Sequence, residues 1–159
     1  MTRDDAPKLL GIFSDPEAMR YYRSTKDEAE TMEWVRWNRS SYAVYHFGLW
    51  IAELKATGEF VGQCGLVMQR VEDQPEVEIG YLFLRKFWGQ GLATEAACAC
   101  RDYGFYRLEY PRLISLIDPR NLASRRVAEK VGMKREKEVE MFEKRVEVWA
   151  IMNEMAMEV

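Results

Sequence analysis

The stretch Phe87–Ala97, FWGQGLATEAA, constrains the chain most. Gly89 and Gly91 stand beside bulky aromatics and run at once into alanine-rich sequence. Glycine loses more conformational freedom on folding than any other residue, so the pair needs a reason. The sequence before it, EVEIGYLFL, reads as a strand, and Thr94 to Tyr106 reads as a helix. A glycine turn between a strand and a helix N-terminus is a place to bind an anion. The first helical N–H groups lack internal partners, and the helix dipole favours negative charge there. The main-chain amides from Gly89 to Ala93 therefore read as a pyrophosphate cradle. The plain alternative is a loop that needs only glycine φ angles.

The flanking pattern is that of one mixed α/β domain. Thr2 with Asp5 is a capping box, and Leu9, Leu10, Ile12 and Phe13 supply the apolar side of a first helix. SDPEAMRYY offers Ser14 or Asp15 as a second cap, with Pro16 at the first helical position. A longer helix runs from about Lys26. FGLWIAEL and EFVGQCGLVMQ are strands joined by KATGE, and the polar loop VEDQP separates the second from EVEIGYLFL. RLISLID is a buried strand, and NLASRRVAEKVGM is a helix capped by Asn121 and ended by Gly132. Two strands turning near Glu143 and Lys144 complete the chain. At 159 residues the chain fits one domain, residues 1–159, with a sizeable core.

Other phosphate-binding classes fail on particular residues. A P-loop requires Lys and Ser/Thr where Leu92 and Ala93 stand. A dinucleotide fingerprint requires a third glycine where Thr94 stands, and a second mononucleotide-binding half does not fit. A net charge of -3 argues against a nucleic-acid binder. No apolar run approaches the roughly 18 residues of a membrane span. The N-terminus lacks a signal peptide's basic and apolar regions, and three cysteines suit a reducing compartment; a cytoplasmic protein is expected.

EIGYLFLRKFWGQGLATEAA followed by DPRNLASRRVAEKVGM resembles the GCN5-related N-acetyltransferase (GNAT) superfamily. Within it the chain is most similar to the RimJ/RimL-like branch of ribosomal-protein alanine N-acetyltransferases. The coenzyme-A motif, Gln/Arg-x-x-Gly-x-Gly/Ala, falls on Trp88 to Ala93, with Trp88 replacing the leading polar residue. The resemblance implies acetyl-CoA as co-substrate, without a metal. It also implies a mostly antiparallel central sheet splayed between EIGYLFL and RLISLID, with helices on both faces. Cofactor contacts are implied at Gly89, Gln90, Gly91, Leu92, Ala93 and Thr94, and at Asn121 and Ser124. Main-chain N–H groups of Leu82, Phe83 and Leu84 would bind the acetyl oxygen.

Acetyl transfer to an amine needs a base, because an α-amino group titrates near ~8 and a lysine near ~10.4. Strand alternation puts Glu76, Glu78, Gly80 and Leu82 on one face, and Val77, Ile79, Tyr81 and Phe83 on the other. Glu78 matches the position at which many relatives carry the base; Glu76 is the fallback, and a surface carboxylate is the alternative for either. The tyrosine that many members use as acid is replaced by Ala128, so the resemblance leaves Ser124 as the candidate acid. Asn121 and Ser124 equally suit an ordinary helix start. Arg125 and Arg126 suit either a CoA phosphate or solvent.

His46 is the only histidine, so no metal site or Ser-His-Asp arrangement can draw on a second; it reads as an ordinary structural residue, with the lining of an acceptor pocket as the alternative. Cys64, Cys98 and Cys100 read as small core residues. Trp34 and Trp37 read as core residues that could border an acceptor cleft. Acids at Asp73, Glu76 and Glu78 suit a cationic amine. Relatives usually open with a strand before the first helix, which is expected here to be missing or supplied otherwise; its loss would expose the edge of FGLWIAEL, which a second chain could cover as a homodimer. The function expected is acetyl transfer to a protein N-terminal α-amine or a small amine. The alternative is a non-catalytic CoA-binding sensor or interaction module.

Overall fold

The computed structural model describes residues 1–157. A six-stranded sheet, ordered β1-β2-β3-β4-β6-β5, organises the chain. Its strands are β1 (Leu49–Glu53), β2 (Phe60–Val71), β3 (Gln74–Phe83), β4 (Arg112–Ile117), β5 (Lys134–Met141) and β6 (Lys144–Met152). The helices are α1 (Ala6–Phe13), α2 (Glu28–Tyr45), α3 (Leu92–Tyr106) and α4 (Leu122–Val131). Among the described residues no strand precedes α1, and β1 forms the sheet edge.

All pairings are antiparallel except β3 with β4, which run parallel and share one register point, Glu78 opposite Ile114. Beyond it the strands part, and side chains bridge the seam. Ser115 Oγ donates to Ile79 O at 2.8 Å, and Leu116 N donates to Glu78 Oε1 at 3.3 Å. This is the splayed sheet that the sequence resemblance implies.

Strand alternation assigns the two faces. Val77, Ile79 and Phe83 pack with Ala97, Cys100, Ala128 and Val131 beneath α3 and α4. Leu82 meets the cluster of Leu9, Ile12, Phe13 and Val35 beneath α1 and α2. Cys64 and Cys100 lie buried with sulfurs 3.5 Å apart, as small core residues.

The caps follow their sequence signals. Asp5 Oδ2 accepts the Thr2 N–H at 2.7 Å; Asp27 and Glu30 form a reciprocal box at the start of α2; Gly132, at φ 99°, ends α4. Exposed His46 ends α2 in the left-handed conformation, a structural role. Two expectations are corrected. The polar loop VEDQP is a two-residue turn: Glu72 and Asp73 both have positive φ, and Pro75 lies within β3 opposite Arg70. The segment after Asp15 makes turns rather than a helix. Asp15 Oδ1 accepts the Glu17 N–H at 3.0 Å while its other oxygen binds Arg85, so the carboxylate shapes a turn and ties it to the far end of β3.

Candidate active site

Two clefts meet at the parted strands. The first, about 580 Å3, lies between the glycine loop and the start of α4. Gly89 and Gly91 adopt φ of 76° and 78°, and a Cβ at either would meet nothing within 4 Å. The left-handed backbone is therefore what requires glycine here. Gly91 caps α3, whose first internal bond runs from Glu95 N to Gly91 O. The successive N–H groups from Gly89 to Thr94 have no main-chain partner among the described residues. They leave a run of main-chain donors open where the sequence reading expects a cradle, and Arg20, Arg120, Arg126 and Lys130 add positive charge to the same cleft. The Gln90 side chain instead turns back to Lys86 O. Trp88, at the departure from the CoA motif, donates its indole N–H to Phe83 O at 3.0 Å and pins the loop to β3.

The second cleft, about 730 Å3, opens on the α1–α2 face. Tyr21, Tyr22, Tyr81, Leu82, Asn121 and Ser124 line both clefts and mark their junction. Glu78 lies in the second. Its Oε2 accepts from Gln69 Nε2 at 2.7 Å and its Oε1 from the Leu116 N–H. The carboxyl faces the cleft, yet the walls strip it of water; this desolvation raises it to about 7, against the lowering effect of both hydrogen bonds. Glu76 is taken up elsewhere: Arg112 Nε holds its two oxygens at 3.1 and 3.2 Å, while the Arg112 Nη atoms bind Glu136. Asp73 sits in the exposed hairpin turn, near Arg70. Of the three acids expected near the acceptor, only Glu78 lines the cleft.

The main-chain donors need one correction. Leu84 N donates to Val61 O at 2.9 Å, which commits it to the β2–β3 ladder. Antiparallel alternation commits Leu82 N to the same ladder and turns the main-chain groups of Tyr81 and Phe83 toward the seam. The bonds to Ile79 O and Phe83 O from Ser115 and Trp88 follow this parity. Of the three expected donors, Phe83 alone turns its N–H to the seam; Leu82 faces the clefts by its side chain, and Leu84 packs beneath α1.

Asn121 caps α4 by accepting the Ser124 N–H at 3.1 Å, so both residues start a helix and line the junction. Arg125 is engaged by Glu147, which is only 1% exposed and also takes hydrogen bonds from Arg135 and the Trp149 indole. The residues the sequence reading missed are Tyr22, Tyr81 and Gln69. The Tyr22 ring is half-exposed, but the cleft desolvates its hydroxyl and raises it to about 12, aided by the Glu78 charge; burial also raises Tyr81, whose hydroxyl donates to Ser124 O at 3.0 Å. Strand alternation could have paired Gln69 with the Glu78 face, but nothing local marks Tyr22. Among the described residues no group of His, Cys, Asp and Glu is placed to hold a metal, and no helix is long and apolar enough to cross a membrane.

A splayed sheet, an amide cradle at a helix start and a desolvated carboxyl at the parted strands define an acyl-CoA-dependent acyltransferase. Residues 1–134 match the acetyltransferase (GNAT) domain family, and the chain belongs to it. It is 49% identical over 147 residues to the YkkB protein of Bacillus subtilis, covering 92% of this chain and 86% of that one. A GNAT-family acetyltransferase of Bacillus anthracis superposes with a TM-score of 0.81 at 27% identity, covering 97% and 92% of the two chains. Aminoglycoside acetyltransferase AAC(6')-Ib, solved with coenzyme A, shares the fold at TM-score 0.82 and 21% identity, covering 99% and 94%.

Proposed function

We propose that the protein transfers the acetyl group of acetyl-CoA directly to a primary amine, either a protein N-terminal α-amine or a small amine, with Glu78 as base. The observation that carries this reading is the Glu78 carboxyl, desolvated in the acceptor cleft and oriented by Gln69 and Leu116 N. A base near 7 takes a proton from an ammonium near ~8 with little driving force lost at neutral pH. The freed amine attacks the acetyl carbon and the C–N bond forms; the C–S bond breaks, its electron pair leaves with sulfur, and the proton shed by the new amide nitrogen passes to the thiolate. The Phe83 amide, facing the seam, steadies the carbonyl oxygen. The Ser124 hydroxyl, at the junction, hydrogen-bonds the departing thiolate. The cradle from Gly89 to Thr94 takes the pyrophosphate.

The Asn121–Ser124 pair supports the RimJ/RimL-like placing. Three free thiols suit a cytoplasmic protein, and a homodimer through the open β1 edge completes the reading. It is checked by mass in solution across micromolar concentrations, where a strictly monomeric mass counts against it. The functional test is Glu78→Gln: acetyl-CoA binding by calorimetry unchanged, thiol release lost. Unchanged turnover removes Glu78 as base.

A further inference from the structure

The wall of the acceptor cleft carries a second message, about the body of the amine. Phe13 meets Trp34 edge-on at 5.5 Å, and Trp34 tilts against Trp37 at 5.1 Å. Trp34 is pinned by its indole N–H on Gln63 Oε1 at 3.0 Å. Tyr21 and Tyr22 line the same cleft. Within this wall Trp37 is 43% and Tyr22 50% exposed, so large aromatic surfaces stay open in a concave site. Such surfaces mark ligand contact.

The charges of the lining limit what else can enter. Asp118 is taken by Arg120 and Lys144, Glu143 by Arg23 at 3.4 Å, and Glu30 caps α2. Arg23 and Lys144 are spent on these acids, and Lys26 stands on the same lining with its ammonium 5.6 Å from the Trp34 ring centre. Among the described residues of the lining, Glu78 alone remains to meet a substrate cation. A polyamine or aminoglycoside would bring several positive charges to one unpaired carboxyl, with the Lys26 ammonium beside them.

We infer that the acceptor is a monocationic primary amine bearing an aromatic ring, the ring lodged against Trp34 and Trp37 and the ammonium directed at Glu78. This rests on the acetyl-transfer reading above. The same chemistry is offered by a free arylalkylamine and by a peptide with an amino-terminal aromatic residue.

The test measures thiol release from acetyl-CoA by the full chain with phenethylamine, a peptide amide beginning with Phe, n-butylamine, spermidine and an aminoglycoside. One aromatic acceptor should exceed n-butylamine in kcat/KM by about tenfold or more, the scale of one ring–ring contact plus its burial. Spermidine and the aminoglycoside should fall lower still. The better of the two aromatic acceptors identifies the source. Trp37→Ala should shrink the aromatic preference severalfold. Equal rates with phenethylamine and n-butylamine, or a preference for the polycations, overturns the inference and leaves acetyl transfer standing. If no amine is consumed while acetyl-CoA binds, acetyl transfer fails instead. Tryptophan fluorescence then decides the aromatic site: quenching by phenethylamine that weakens in Trp37→Ala supports it, and no quenching overturns it.

Discussion

Gln69 Nε2 lies 2.7 Å from Glu78 Oε2, on the neighbouring strand and the same face of the sheet. The amide fixes where the carboxylate points and opposes the desolvation that keeps it protonated. Removing it by Gln69→Leu should therefore raise the apparent pKa on the acid limb of the kcat/KM profile above that of the native enzyme. A profile that stays in place, with only a uniform loss of rate, would assign Gln69 a packing role alone.

Glu78 itself predicts opposite trends for activity and stability. As a base it works when ionised, so kcat/KM should rise through about pH 7. Its folded value lies above the ~4.3 of an unfolded glutamate, so the folded state holds the extra proton, and its contribution to stability is lost as pH rises between those values. Glu78→Gln should unfold about 1–3 kcal/mol less readily than the native protein at pH 8, with the gap closing toward pH 4. Denaturant melts at the two pH values measure this.

At Gly91 the expected damage is conformational. A Cβ meets open space there, but φ is 78°. Gly91→Ala should cost about 1–2 kcal/mol and weaken acetyl-CoA binding. Gly91→Asn should cost less and Gly91→Val more, because asparagine tolerates the left-handed region and a β-branched residue does not. Thermal melts with and without acetyl-CoA rank the series; a flat ranking would remove backbone strain as the cause.

Glu147 predicts sensitivity to acid. Arg125, with Trp149 and Arg135, holds its carboxyl down to about 2. The stability it contributes is full above the unfolded ~4.3 and drains away as pH falls toward 2. Glu147→Gln should destabilise the neutral protein by about 3 kcal/mol, since it leaves arginines facing a neutral amide, and should flatten stability between pH 5 and 2. An unchanged acid profile would show the cluster to be inert.

Thr31 should respond the other way. Its Oγ1 is buried and has no hydrogen-bond partner among the described residues. Thr31→Val keeps the shape and removes the orphan hydroxyl, so stability should hold or rise by about 1 kcal/mol. A clear loss would mean that the hydroxyl has a partner in solution.

The parts legible in the sequence are those written in local signals. Gly89, Gly91, Asn121 and Gly132 announce their turns and caps through backbone chemistry that needs no distant partner. The alternation of β3 placed Glu78 on the acceptor face. Leu84 was misplaced because its N–H belongs to Val61, a partner fixed only by strand register. The turn at Glu72–Asp73 lacks the glycine that usually marks it, and Pro75 reads as loop although it begins a ladder. Tyr22 reaches Glu78's surroundings from a turn segment remote in sequence, so only the assembled fold relates the two.

The single register point between β3 and β4 has a mechanical consequence. Main-chain bonds lock each half of the sheet internally, while across the seam the halves are joined by the side chains of Ser115, Glu78 and Arg112 and by one core that holds Leu66 and Ile79 with Leu113 and Ile117. The carboxyl of Glu78 thus belongs to the one residue of β3 whose backbone is in register with β4. The base is anchored where the two halves meet, while the clefts lie where they part.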